Sequence, residues 1–220
     1  MISNKELIKF LEKTSINSGF VDKLKIKYRP VICPFDDLLK YTHNKKKLFD
    51  IGCGSGQFSL VAANFTGVEK IMGIEISEVL INNANALAAK YGAGKEFIFK
   101  TFDGAHFPDE MSDYEVIFLI DVLHHVPKDK QHSFLESIFK KMAPGAQLIL
   151  KDINGASPFV LCNKMHDIVF AGEIGNEISV AKAKKWLEGT GFKIKEEYTK
   201  QVFVYPHYFL IAEKPLLNRA

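Results

Sequence analysis

The chain has 220 residues, 47% of them hydrophobic and 25% charged, with a formal net charge of +3. That length suits one well-buried α/β domain with a small appended cap, and so mild a charge, with scattered lysines, gives no strong nucleic-acid signal. The three cysteines, Cys33, Cys53 and Cys162, are odd in number and widely spread, which argues against a disulfide framework and fits no zinc spacing.

From the N-terminus, Leu7, Ile8, Leu11, Ile16, Phe20 and Leu24 recur between charged residues. This predicts one or two amphipathic helices, broken near Asn17-Ser18-Gly19. Pro30 and Pro34 exclude a helix interior, and Asp36-Asp37 opens a short helix through Tyr41. Residues 1–44 thus form a helical cap, either covering a sheet edge or closing as a lid, with Tyr28-Arg29 its most interesting piece. No apolar run has the length of a leader core or a membrane span, so a cytoplasmic chain is expected.

The stretch from Lys47 begins as a short apolar run ending in the Asp50 carboxylate, which reads as a buried strand, and Gly52, Gly54 and Gly56 follow before a helical pattern resumes at Phe58, Val61 and Ala62. A strand, a glycine turn and a helix start make a nucleotide-binding corner: glycine lets backbone approach a ligand, and the helix start offers N–H groups. The dinucleotide spacing G-x-G-x-x-G would need a small residue where Gln57 stands, and no triphosphate-binding G-x-x-x-x-G-K-[ST] occurs. Lys70–Glu75 is a second strand, with Glu75 placed to accept from two ribose hydroxyls. Ser77 caps the next helix, whose apolar face is Val79, Leu80, Ala84, Leu87 and Ala88, and Gly92 ends it.

Glu96–Lys100 is a third strand, followed by Phe102-Asp103-Gly104; an Asp there can accept from an adenine amino group or simply make a turn. Tyr114–Asp121 is the most apolar strand, and Val122-Leu123-His124-His125-Val126-Pro127 follows, with Pro127 expected in the first turn of a helix. Phe134, Leu135, Ile138, Phe139 and Met142 stripe that helix, and Pro144-Gly145 leads into a fifth strand, Gln147–Asp152. A helical segment follows, with Asn163, His166 and Asp167 on one patch, then a helix from Val180 that Gly189 should end. A sixth strand begins at Gly191, a turn falls at Tyr198–Gln201, and a proline-interrupted last strand closes the chain. Strands joined without a helix pair antiparallel.

The run Asp50-x-Gly52-x-Gly54-x-Gly56, together with Asp121-Val122-Leu123-His124-His125-Val126, resembles the class I S-adenosylmethionine (AdoMet) methyltransferases. The likeness covers roughly residues 45–155. It implies a doubly wound, mostly parallel seven-stranded sheet with a terminal antiparallel hairpin, as a single domain. It places the cofactor on Asp50, Gly52, Gly54, Gly56, Glu75, Ile76, Phe102, Asp103, Gly104, Ile120 and Asp121. The stretches Asn163–Asp167 and Tyr205-Pro206-His207 are similar to a bacterial branch of such enzymes, which names no acceptor.

Methyl transfer from a sulfonium is an in-line displacement in which positioning supplies much of the rate. A base is needed only where the acceptor must lose a proton. His124, His125, His166 and His207 are the candidate bases, with Asp121, Asp152 and Asp167 as orienting or basic carboxylates; of the adjacent His124 and His125, one must point away, which leaves His124, His166 and His207 as the catalytic expectation. No H-E-x-x-H spacing appears, so no metal is expected. The leading expectation is methylation of a small-molecule oxygen, nitrogen or carbon. An RNA or protein methyltransferase and a non-catalytic AdoMet- or nucleoside-binding protein stand as alternatives. The acceptor and the oligomeric state are left open.

Overall fold

The computed structural model describes residues 4–14, 33–160, 164 and 175–216. Tyr28, Arg29, Cys162, Asn163, His166 and Asp167 lie outside the described residues. The chain divides into two compact units, Met1–Asp103 and Gly104–Ala220.

In the first unit, helix α1 (Asn4–Thr14) buries Leu7 and Leu11 completely. Each such leucine stabilises by about 1.5–3 kcal/mol. Helix α2 (Phe35–Leu39) follows, and Phe35 meets Phe58 edge to face at 5.3 Å. Strand β1 (Lys47–Ile51) leads into α3 (Gln57–Phe65), β2 (Lys70–Glu75), α4 (Glu78–Tyr91) and β3 (Glu96–Thr101). The three strands are parallel, with Asp50 opposite Gly73 and Glu75 opposite Thr101. Gly73 is glycine for packing: a Cβ there would lie 2.7 Å from the Phe99 ring and 2.8 Å from Cys53 Sγ. Ser77 caps α4 as expected, accepting from Leu80 N at 3.4 Å. The buried face of that helix is Ile81 and Ala84, however, and Val79 is 70% exposed.

The second unit carries β4 (Val116–Ile120), a 3₁₀ turn at Leu123–His125, α5 (Gln131–Lys141), β5 (Gln147–Ile153), α6 (Val180–Thr190), β6 (Lys193–Val202) and β7 (Tyr205–Glu213). Strand β4 pairs parallel to β5, and β7 pairs antiparallel to both β5 and β6. Three boundaries differ from the sequence reading. Pro127 precedes a turn, and α5 begins only at Gln131. Gly191, left-handed at φ 111°, ends α6 instead of Gly189, because the C-terminal position needs the positive φ. The last turn lies at Phe203-Val204: Lys200 and Gln201 are still paired, with His207 and Pro206. Pro206 is therefore the second residue of a strand rather than an interruption of one. Lys214 Nζ caps α5, donating to Phe139 O at 2.8 Å and Met142 O at 2.7 Å. The strands belong to one mixed sheet of order β3-β2-β1-β4-β5-β7-β6, a mostly parallel α/β architecture with an antiparallel C-terminal pair. Edge strand β6 carries Lys193, Lys195, Glu196 and Glu197, charges that discourage further strand pairing.

Candidate active site

In the first unit the glycine corner is held open by its own backbone. Gly52, Gly54 and Gly56 have φ of 71°, 54° and 73°, where a side chain is strained. Gly52 N and Cys53 N both donate to Ile74 O, at 2.8 and 3.1 Å, tying the turn to the end of β2. Glu75 completes the lock. Its Oε2 accepts from Gly54 N at 3.1 Å and its Oε1 from Ser77 N at 3.2 Å. An ionised carboxylate has about four acceptor sites, so two remain for a diol while the side chain stays fixed.

Around this corner, Ile76 is 70% exposed, and Phe102 is buried with its N–H on Glu75 O at 2.8 Å. Asp103 is exposed. These residues can present an acidic acceptor pair and apolar surface to a nucleoside. Two of the residues assigned to the cofactor do other work in the structure. Asp50 is buried within β1, and its Oδ2 accepts from Ser59 Oγ at 2.7 Å, bracing α3 against the strand. A Cβ on Gly56 would meet Phe99 Cζ at 3.0 Å and Ala84 Cβ at 3.1 Å, so this glycine serves the interior. Ser59 left no signal in the sequence beyond a polar residue in an apolar helix.

In the second unit, Gly104 sits at φ 84° with open space about its Cα, and Ile120 is buried at the end of β4. Asp121 follows at φ 54°, its N–H donating to Lys151 O at 2.9 Å. Lys151 Nζ, fully buried, donates to both Asp121 carboxylate oxygens at 2.6 Å. Burial opposes the charge on Asp121, yet the Lys151 ammonium, with the His207 and His124 imidazoles, outweighs it and holds the carboxyl well below its ordinary range. The sequence carried this pair as a lysine inside an otherwise apolar strand, and a buried lysine requires a counter-charge.

His124 is 4% exposed, and its Nδ1 lies 2.5 Å from Asp152 Oδ1. The carboxylate only accepts, so Nδ1 carries the shared proton and proton uptake falls to Nε2. Asp152 is itself fixed: Oδ2 accepts from His124 N at 3.1 Å and Oδ1 from Ile153 N at 2.7 Å. His125 is exposed where His124 is buried, but its ring lies tilted against that of His124 with centroids 4.0 Å apart, so the two adjacent histidines differ in burial without pointing apart.

His207 is 1% exposed on β7, opposite Ile153, with Tyr205 stacked on its ring at 6.2 Å. The two-residue period of a strand puts Lys151 and His207 on one face of the β5–β7 pair and Asp152 and Tyr208 on the other. Tyr208 is fully buried, and burial together with the Asp152 and Asp121 charges pushes its phenol up. The structure thus holds two polar pairs in this unit, Lys151 with Asp121 and His124 with Asp152, and a buried His207 whose charge acts on Asp121. Among the described residues no cluster of His, Cys, Asp or Glu could hold a metal ion, and no helix is long and apolar enough to cross a membrane.

The family described as methyltransferase domain matches residues 27–197. The chain belongs to the class I AdoMet-dependent methyltransferases. It is 31% identical over 106 residues to the 27-O-demethylrifamycin SV methyltransferase of Amycolatopsis mediterranei, a match covering 48% of this chain and 38% of that one. It is 32% identical over 105 residues to a chloroplastic tocopherol O-methyltransferase of Arabidopsis thaliana, covering 48% of this chain and 29% of that one. The methyltransferase chain therefore spans well under half the length of these curated relatives. Among solved structures, magnesium protoporphyrin IX methyltransferase from Synechocystis, with S-adenosylhomocysteine bound, superposes with a TM-score of 0.69 at 20% identity. That match covers 96% of this chain and 95% of the other; at such identity the likeness is one of fold.

Proposed function

We propose that this protein transfers a methyl group from AdoMet to a hydroxyl oxygen of a small molecule, with His124 as the base. When bound, AdoMet supplies an electrophilic methyl on a sulfonium. Gly52 and Gly54 admit its methionine end to the backbone, Glu75 accepts from the ribose hydroxyls, and Asp103 and Ile76 flank the adenine. His124 takes the proton of the acceptor at Nε2 while Asp152 steadies the imidazole through Nδ1. His207 stands as a second candidate base and His166 as a third on sequence grounds alone. The buried thiols of Cys33 and Cys53 suit the reducing cytoplasm.

The single observation that carries the oxygen reading is the 2.5 Å contact between His124 and Asp152. A hydroxyl must lose a proton on methylation, and a carboxylate-anchored imidazole is built to take one. One of the relatives named above, the tocopherol enzyme, is an O-methyltransferase by name, which supports the same choice. The test is a pair of measurements on His124→Ala. Turnover with methyl-labelled AdoMet should fall by about 10²–10⁴-fold, as for a lost general base, while calorimetric titration with AdoMet should give unchanged affinity. Normal turnover in this variant would overturn the assignment of the base.

A further inference from the structure

Gln131 opens α5, yet it is completely buried, an unfavourable place for an amide without a task. Its Nε2 donates to Leu123 O at 3.0 Å and to Asn176 O at 2.8 Å. Leu123 begins the 3₁₀ turn that carries His124. Asn176 returns a bond of its own, its N–H donating to His124 O at 2.6 Å. One amide therefore grips the histidine turn directly, and grips it again through the strap at residues 175–178. The amide oxygen of Gln131 is buried and accepts from no described group, so what the side chain contributes is its two donors.

The strap is anchored from the other side as well. Gly155 N donates to Ile178 O at 3.0 Å, and a Cβ on Gly155 would lie 2.5 Å from Glu177 O. Lys164 Nζ reaches Gly175 O at 2.9 Å and pairs with the buried Glu177 carboxylate at 2.8 Å. The strap thus joins the loop after β5 to the turn bearing His124, and all of these residues lie in the second unit.

We propose that Gln131 is a positioning residue for His124, fixing the turn so that the imidazole keeps its Nδ1 on Asp152. The inference rests on His124 being the base. It adds that the base is set by an amide on α5 and by the strap, not by Asp152 alone. Without the two donors, the Leu123 and Asn176 carbonyls lose a shared partner, and the His124 turn gains freedom to swing its ring off the carboxylate.

The experiment follows the Nδ1 proton of His124 by NMR in the protein as it stands, with no acceptor required. A hydrogen-bonded imidazole proton sealed from solvent gives a downfield, slowly exchanging signal, assigned by its disappearance in His124→Ala. Gln131→Met and the isosteric Gln131→Glu both remove the donors, so either one that folds serves. Exchange of this proton should quicken about tenfold or more in each, reporting local opening, and Gly155→Ala, which pushes only on the strap, should move it in the same direction. In turnover with catechol as probe acceptor, Gln131→Met should lower kcat on the order of 10²-fold, the cost of about 1 Å of misplacement, with KM little changed. Added to His124→Ala, it should lower turnover no further, because residues acting as one unit are not additive. A folded Gln131 variant whose His124 proton keeps its shift and exchange rate overturns the positioning role. No such proton in the wild-type protein would instead overturn the His124–Asp152 reading beneath it.

Discussion

Lys151 and Asp121 show how much one residue can hold in place. Lys151 has no exposure and donates to both oxygens of one carboxylate. Removing one partner of a buried pair leaves the other charge stranded. Lys151→Ala should therefore cost about 3–5 kcal/mol, measured by urea unfolding at neutral pH. Replacing both residues with apolar ones of similar volume should cost much less. The sign of the pH dependence follows from Asp121, whose folded carboxyl sits below its ordinary value of 3.8. Its contribution is complete above that value and is lost as pH falls through the folded one. Wild-type stability should thus drop more steeply below about pH 4 than that of Asp121→Asn.

Glu75 makes a second case at this scale. Because it already holds Gly54 N and Ser77 N, Glu75→Ala should both loosen the glycine corner and weaken AdoMet binding. The expected loss is about 1.5–3 kcal/mol by calorimetry, the range for hydrogen bonds to a charged group. Glu75 stood out in the sequence as an acid at a strand end about two dozen residues past the first strand, the spacing expected of a ribose-binding carboxylate. Ser59, Gln131 and Lys151 were not, since their partners lie on other elements and only the fold brings them together.

Among the elements, the parallel strands could be read from apolar runs bounded by glycine and acid. The antiparallel end was read less well. Pro206 looked like an interruption, but a proline near the start of a strand gives up only an N–H that the ladder can spare. The hairpin tip is instead Phe203-Val204, with Phe203 at φ 53° and 73% exposed. No turn signal marks that position, because glycine or asparagine would be the usual choice. Gly73 carried the opposite surprise. A glycine inside a buried strand is explained by the Phe99 ring and Cys53 Sγ, which leave no room for a methyl group. Gly73→Ala should overpack this cluster and cost about 1–3 kcal/mol, visible as a lowered thermal midpoint. Phe99→Leu in the same chain should recover part of the loss.

At the scale of the whole molecule, the fold and the family follow from the glycine corner and the strand order. The acceptor does not, because the stretches expected to shape it, around Tyr28-Arg29 and around His166, lie outside the described residues. What the structure adds is the chemistry waiting in the second unit, where His124 is held on Asp152, Lys151 is held on Asp121, and His207 is buried on the face that carries Lys151. The central claim is that His124, anchored on Asp152, accepts a proton from a small hydroxyl compound during methyl transfer. The most direct measurement incubates wild-type protein and His124→Ala with methyl-labelled AdoMet and cell extract, then follows the label by fraction. Wild-type protein should label a small, extractable product whose methyl is ether-linked, and His124→Ala should bind AdoMet equally well yet label almost nothing. Label appearing in RNA or protein, or equal labelling by the two proteins, would contradict it.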